Sequence, residues 1–357
     1  MSTKKASSAP VTRGAKRKKV SQPQSDQAQP LTKKPKSHSS DAKSKAQDSE
    51  KIENARHGTV EKLPSVKDLA SSEWPKRKAA FALIRAHLEL RPAASPLLYD
   101  ECLQLWRGLF VAVYMHDSKN AISVQNFLGE VADTFRIVAS KESPGESSTS
   151  SMISGKDVSS DTPWLGVYNQ AFWEIMRREW PKIDSHRMNK YLLLIRLVVR
   201  QLFKILFQPL FSDRTAGEAS DAQQKGHAVD ASIAFSMSIM STLKLYGPLS
   251  TTDHTIPNGL RLHLMDIMPD EAKAGYELAE AESDLSTDTQ ALPTSYINLG
   301  LLEIYEIIKT PVHLMARPDR GLQKHIRGRA KETIAALEEQ KKALLEQTTA
   351  ATAAEDG

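Results

Sequence analysis

The chain has 357 residues, 40% of them apolar and 25% charged, with a net charge of +5. That is enough apolar material for one large or two medium folded domains. A single cysteine, Cys102, excludes an intramolecular disulfide, and no secretory apolar segment begins the chain, so a reducing compartment is expected.

The charge is unevenly placed. Residues 1–58 hold 14 Lys+Arg against 5 Asp+Glu, leaving 34 against 38 for the rest, so the net positive charge sits entirely at the N-terminus. This stretch has no Phe, Tyr or Trp and is rich in Ser, Gln, Pro and Lys. It cannot bury enough apolar area to offset its ordering entropy, and residues 1–62 are expected to form a disordered basic tail. Two compact clusters, Lys16-Arg17-Lys18-Lys19 and Lys33-Lys34-Pro35-Lys36, fit nuclear import or RNA contact, because neighbouring cations displace counterions from phosphates.

Helices are expected almost everywhere after the tail, and no strands. From Lys76 to Leu90, Ala80, Phe81, Ile84 and Leu88 recur with a helical period, and Arg91-Pro92 ends the run. A second helix is expected from about Pro96 to Met115, a turn at Asp117 to Asn120, and a third helix from Ala121 to Val138. Gly108 inside the second costs about 1 kcal/mol relative to alanine, so a close packing neighbour is expected there. Residues 140–161 contain nine serines and no aromatic residue, and read as a polar insertion open to phosphorylation, with Ser143-Pro144 its proline-directed site.

Helical periodicity resumes at Leu165 to Trp180, with Leu165, Tyr168, Phe172, Ile175 and Met176 on one face and Pro181 after it. Asp184 or Ser185 can cap the next helix, which runs through Tyr191 to Phe207. Arg196, Arg200 and Lys204 interrupt that apolar run at intervals of four and argue against a membrane span. They form one strip, open to solvent, a phosphate or an acidic partner. A second polar insertion, 212–227, precedes a helix from Ala228 to Leu245; others are expected at Leu260 to about Ala279, Thr294 to Ile308 and Asp319 to Gln347. Residues 63–318 thus read as one helical-repeat domain, 319–347 as a C-terminal helix and 348–357 as a disordered end.

Helix, short turn, helix with apolar faces on both members is the pattern of stacked helical pairs, so the fold class is all-α, resembling an α-solenoid of HEAT type. There is no phosphate-binding loop, dinucleotide fingerprint, nucleophile elbow or zinc helix, and the ten histidines are scattered. The chain therefore reads as a non-enzyme with no cofactor and no metal. Exposed Trp and Arg anchor many interfaces, which makes Trp173, Arg177, Arg178 and Trp180 candidate partner contacts. Core packing is the competing reading for both tryptophans, because Trp173, a hundred degrees from Phe172, could equally widen the buried face. Lys324, Arg327 and Arg329 at the basic start of the last helix are candidates too. Arg261 is expected to pair with Asp266 or another helix, and His263 to be a hydrogen-bonded core or edge residue.

Three segments, Leu105 to Asp117 (LWRGLFVAVYMHD), Ala171 to Leu194 (AFWEIMRREWPKIDSHRMNKYLLL) and Pro257 to Asp266 (PNGLRLHLMD), carry a resemblance from about Lys76 to about Arg329. In order and spacing they resemble the eukaryotic nucleolar ribosomal RNA processing protein 1 family. The resemblance implies a non-catalytic assembly factor of the large ribosomal subunit precursor, the pre-60S particle, located in the nucleus and nucleolus. Its implied partners are other assembly factors and precursor rRNA, with no membrane. The two insertions and the basic N-terminus depart from the family pattern, in which a long basic extension follows the domain. The competing expectation is a nuclear helical adaptor unrelated to ribosomes.

Overall fold

The computed structural model describes residues 65–117, 119–142, 163–211, 221–284 and 294–355. Among them are nine α-helices and no strand: α1 (Trp74–Leu90), α2 (Tyr99–Met115), α3 (Ala121–Ala139), α4 (Trp164–Glu179), α5 (Ser185–Phe207), α6 (Asp221–Leu245), α7 (Asn258–Asp284), α8 (Thr294–Ala316) and α9 (Lys324–Glu355). The basic clusters at Lys16 to Lys19 and Lys33 to Lys36, and nearly all of the serine-rich insertion, lie outside the described residues.

Each helix packs on the one two places further along the chain. This places α1, α3, α5, α7 and α9 in one layer and α2, α4, α6 and α8 in the other. Contacts between successive helices, strongest for α8 with α9, join the layers. Such an alternation is what an all-α helical repeat produces, because an amphipathic helix buries one flank on its like neighbour and another on the opposite layer. The core is continuous along the stack, from Leu69 through Trp106, Phe172, Val198, Phe207, Met268 and Tyr305 to Leu344.

Two glycines set how closely elements approach. A Cβ on Gly108 would lie 2.9 Å from Leu69 Cδ1, so the missing side chain seats the 3-10 turn Lys67–Ala70 on α2. A Cβ on Gly275 would lie 2.6 Å from Phe203 Cβ and 2.8 Å from the Lys204 backbone nitrogen, so the backbones of α5 and α7 come close together at this point.

Several boundaries differ from the sequence expectation. The second helix starts at Tyr99 rather than Pro96, where the Glu101 carboxylate accepts a hydrogen bond from the Leu98 amide at 2.9 Å and closes the first turn. α6 begins at Asp221, inside the segment expected to be an insertion, and α8 passes through Pro311 to Ala316 instead of stopping at Ile308. Burial of Pro311 in the core holds the helix through a residue that lacks its N–H. Asp319 lies in a 3-10 turn, and α9 starts only at Lys324. Residues expected to form a disordered end after Gln347 continue α9 to Glu355. Alanine has the highest helix propensity, and the Thr348 hydroxyl reaches Asn298 Oδ1 on α8 at 2.5 Å.

Candidate functional site

The three sequence blocks, far apart in the chain, meet at one corner made by the end of α2, the α4–α5 junction and the start of α7. Trp106 lies 4.8 Å from Phe172 and 5.1 Å from Tyr168 between ring centroids, with Phe135 completing the cluster. Phe110 stacks on Tyr191 at 4.6 Å, and the Tyr191 hydroxyl donates to the Phe110 carbonyl at 3.0 Å. Gly259 at the start of α7 abuts the Trp180 indole, and the His263 ring bonds the Leu192 carbonyl at 3.0 Å.

Two buried cations hold the corner by binding main-chain carbonyls. Lys190, only 5% exposed, donates from Nζ to the carbonyls of Val113, Tyr114 and His116 at 2.9, 3.2 and 2.8 Å. The Val113 carbonyl also accepts from the His116 amide at 3.2 Å, which closes the last turn of α2, and Lys190 gathers all three carbonyls from another helix, adding to that C-terminal cap. Burial, followed by the neighbouring Arg187 charge, lowers its pKa to about 8. Arg261, 1% exposed, donates to the carbonyls of Pro248, Ser250 and Asp253 and so fixes the connection between α6 and α7. The expected pair with Asp266 does not form, because Asp266 faces Arg329 of α9 at 2.9 Å.

At the rim, Asp184 caps α5 by accepting from the Arg187 amide at 3.0 Å, and the Arg187 guanidinium lies 4.1 Å from the Tyr114 ring centroid. Tyr114 donates to Asp184 at 3.3 Å, and the two charged groups pair at 2.5 Å. Met115, His186 and Arg178 are exposed around this rim.

The sequence-predicted residues fall into three groups. Trp173 is fully buried, 4.8 Å from Phe172, and Trp180 is 9% exposed, so both belong to the core of the corner and offer no surface anchor. The hundred-degree offset of Trp173 from Phe172 widens the buried face of α4, because α4 packs against both layers.

Arg177 and Arg178 share the Glu174 carboxylate at 2.7 and 2.5 Å, and Arg177 also donates to Thr255 at 2.7 Å. The Arg196, Arg200 and Lys204 strip is likewise committed within the chain. Arg196 and Arg200 both bind Glu271 of α7, at 2.9 and 2.6 Å, and Lys204 pairs with Glu282. Glu271 is 1% exposed, a buried carboxylate answered by two guanidinium groups. What the sequence shows as an open strip is therefore the ion-paired seam between α5 and α7.

The third group lies on α9. Arg329 is held by Asp266 and by Glu332 at 3.1 Å. Lys324 is exposed and has no ion pair among the described residues, and Arg327 donates only to the Leu322 carbonyl. Lys331, two helical turns beyond Lys324 and exposed, also has no acidic partner among the described residues. Its seven-residue spacing from Lys324 was legible in the sequence as a shared face.

No group of three or more His, Cys, Asp or Glu among the described residues is arranged to hold a metal ion, and no described helix is long and apolar enough to cross a membrane. Cys102 is buried, and burial raises its thiol pKa to about 12.

A family model described as "Nucleolar protein, Nop52" matches residues 60–356, which takes in the whole corner and all nine described helices. The chain belongs to the Nop52 family. Among curated proteins it is similar to Ribosomal RNA processing protein 1 homolog B of Mus musculus, 27% identical over 205 residues, covering 57% of this chain and 22% of the relative. It is 26% identical over 220 residues to homolog A of Homo sapiens, covering 61% of this chain and 38% of the relative. The Drosophila melanogaster homolog is 24% identical over 217 residues, covering 60% of this chain and 25% of the relative. The matched part is thus well under half of each of these relatives' length.

Proposed function

We propose that this protein is a non-catalytic assembly factor of the large ribosomal subunit precursor, acting in the nucleolus in support of precursor rRNA processing. Membership of the Nop52 family, whose matched relatives carry ribosomal RNA processing in their names, is the observation that carries the reading. The architecture supports it. A stack of helical pairs presents long surfaces suited to docking other assembly proteins. One layer offers the apolar anchors that protein interfaces use: α6 and α8 pack side by side, and they expose Met237 and Leu245, and Leu299 and Leu302, respectively. The basic runs at Lys16 to Lys19 and Lys33 to Lys36 supply import or phosphate affinity in this reading.

The test is purification of the tagged protein from its own cells at moderate salt, followed by sequencing of the co-purifying RNA. Enrichment of large-subunit precursor rRNA with its spacers is the expected result. A preparation free of precursor rRNA, from cells making ribosomes normally, rejects the reading and leaves a helical adaptor with another cargo.

A further inference from the structure

Cations and acids are balanced through most of the described stack, and the first turns of α9 break that balance. From Arg317 to Lys331 the chain carries six Lys or Arg, Arg317 included, and one acid, Asp319. Asp319 is bound by Arg317 at 2.8 Å, and Arg329 is answered by Asp266 and Glu332. Lys324, Arg327 and Lys331 have no acidic partner among the described residues.

Their placement is unfavourable for the helix itself. The helix dipole puts partial positive charge at the N-terminus, where acids stabilise and cations do not, yet the first turn of α9 has no acid and holds Lys324, His325 and Arg327. A local rule broken with no internal compensation marks a functional surface. Ile326, Ala330, Thr333 and Leu337 are buried against the stack, so Lys324, Gly328 and Lys331 point outward. A Cβ on Gly328 would meet nothing within 4 Å, so the middle of the cationic face is flat and open to a bulky ligand.

We propose that this face, formed by Lys324, Arg327 and Lys331 around Gly328, binds the phosphate backbone of RNA; the inference extends the assembly-factor reading and names rRNA as its ligand in the cell. RNA is favoured over an acidic protein segment by what surrounds the charges. None of the exposed large apolar residues among the described residues lies between Arg317 and Lys331, so the hydrophobic centre of a protein interface is lacking. The stretch holds no Phe, Tyr or Trp for base stacking, its one aromatic ring being the exposed imidazole of His325, so the contact is mainly to phosphates and largely independent of sequence.

The experiment measures binding of the full chain to a fluorescent polyuridylate oligomer and to an RNA duplex across a salt series. The variants are Lys324→Gln/Arg327→Gln/Lys331→Gln and the single Lys324→Glu. For each lost phosphate contact the slope of log affinity against log salt falls by about 0.7 for single strands and about 0.9 for duplex. The triple variant should therefore lose about two to three contacts' worth of slope and bind roughly tenfold to a hundredfold more weakly at moderate salt, with helical circular dichroism unchanged.

Lys324→Glu should weaken RNA binding while raising the thermal unfolding midpoint, because an acid suits the helix start. A purely structural lysine would lower both. Unchanged affinity and slope in the triple variant would overturn the proposal. So would loss of binding to polyglutamate with RNA binding intact, which would make this an acidic-protein site. Because the assay uses purified protein and generic RNA, its failure is separate from failure to recover precursor rRNA from cells.

Discussion

The corner built from α2, α4, α5 and α7 and the opening turns of α9 are both rich in cations, and they use them in opposite ways. At the corner the cations are answered from within the chain. Lys190 and Arg261 bind carbonyls, Arg177 and Arg178 share Glu174, and Arg196 and Arg200 share Glu271. On α9, Lys324, Arg327 and Lys331 have no acid to answer them among the described residues. A charge run thus tells nothing of its purpose until the acids of neighbouring helices are placed around it.

The sharpest way to break the comparison is at Lys190. Lys190→Met removes three hydrogen bonds from buried carbonyls at the end of α2 and should cost about 3 kcal/mol of stability, read by denaturant unfolding. The pH dependence gives a second readout. The folded-state pKa of Lys190, about 8, lies below its usual 10.5, so between these values the unfolded chain binds more protons than the folded one. Stability from this group therefore rises as pH increases from about 8 to about 10.5, and the gap between wild type and Lys190→Met should widen over that window. A gap that narrows would show that the three carbonyls hold the proton more firmly than burial expels it.

Next in size is the α5–α7 seam. Glu271→Gln leaves Arg196 and Arg200 without their shared carboxylate and should destabilise by about 2 kcal/mol, with RNA affinity not reduced. Gly275→Ala forces a methyl group into Phe203 and should cost about 1 to 3 kcal/mol, measured in the same way. The smallest effect has the opposite sign: Lys324→Glu should stabilise by about 0.3 to 1 kcal/mol. Its thermal midpoint then separates the two regions, since neutralising a corner cation lowers stability.

The fold was largely legible because helical periodicity is a local signal. The run from Ser185 to Phe207 and its Asp184 cap match α5, and the glycine inside α2 pointed to the close approach that the Lys67–Ala70 turn makes. Boundaries governed by tertiary contact were not legible. The expected end at Ile308 falls short because the buried flank of α8 carries the helix through Pro311, and α9 extends because Thr348 meets Asn298.

The candidate site was legible as residue types and hidden as pairings. The offset of Trp173 from Phe172 left two readings, a wider buried face or a partner anchor, and its complete burial decides for the first. Arg196, Arg200 and Lys204 looked open because Glu271 and Glu282 lie some 70 residues or more away in sequence. Lys190 stood inside a recognised block, but nothing in sequence says that a lysine will end a helix 70 or more residues earlier.

The most direct test of the contrast is photocrosslinking of the full chain to RNA carrying thiolated uridines, with the attached peptides mapped by mass spectrometry. The account predicts crosslinks within residues 320–335, lost in the Lys324→Gln/Arg327→Gln/Lys331→Gln variant, and none on the Arg196 to Lys204 strip. Crosslinks on that strip, or a pattern on α9 that survives the triple substitution, would contradict it.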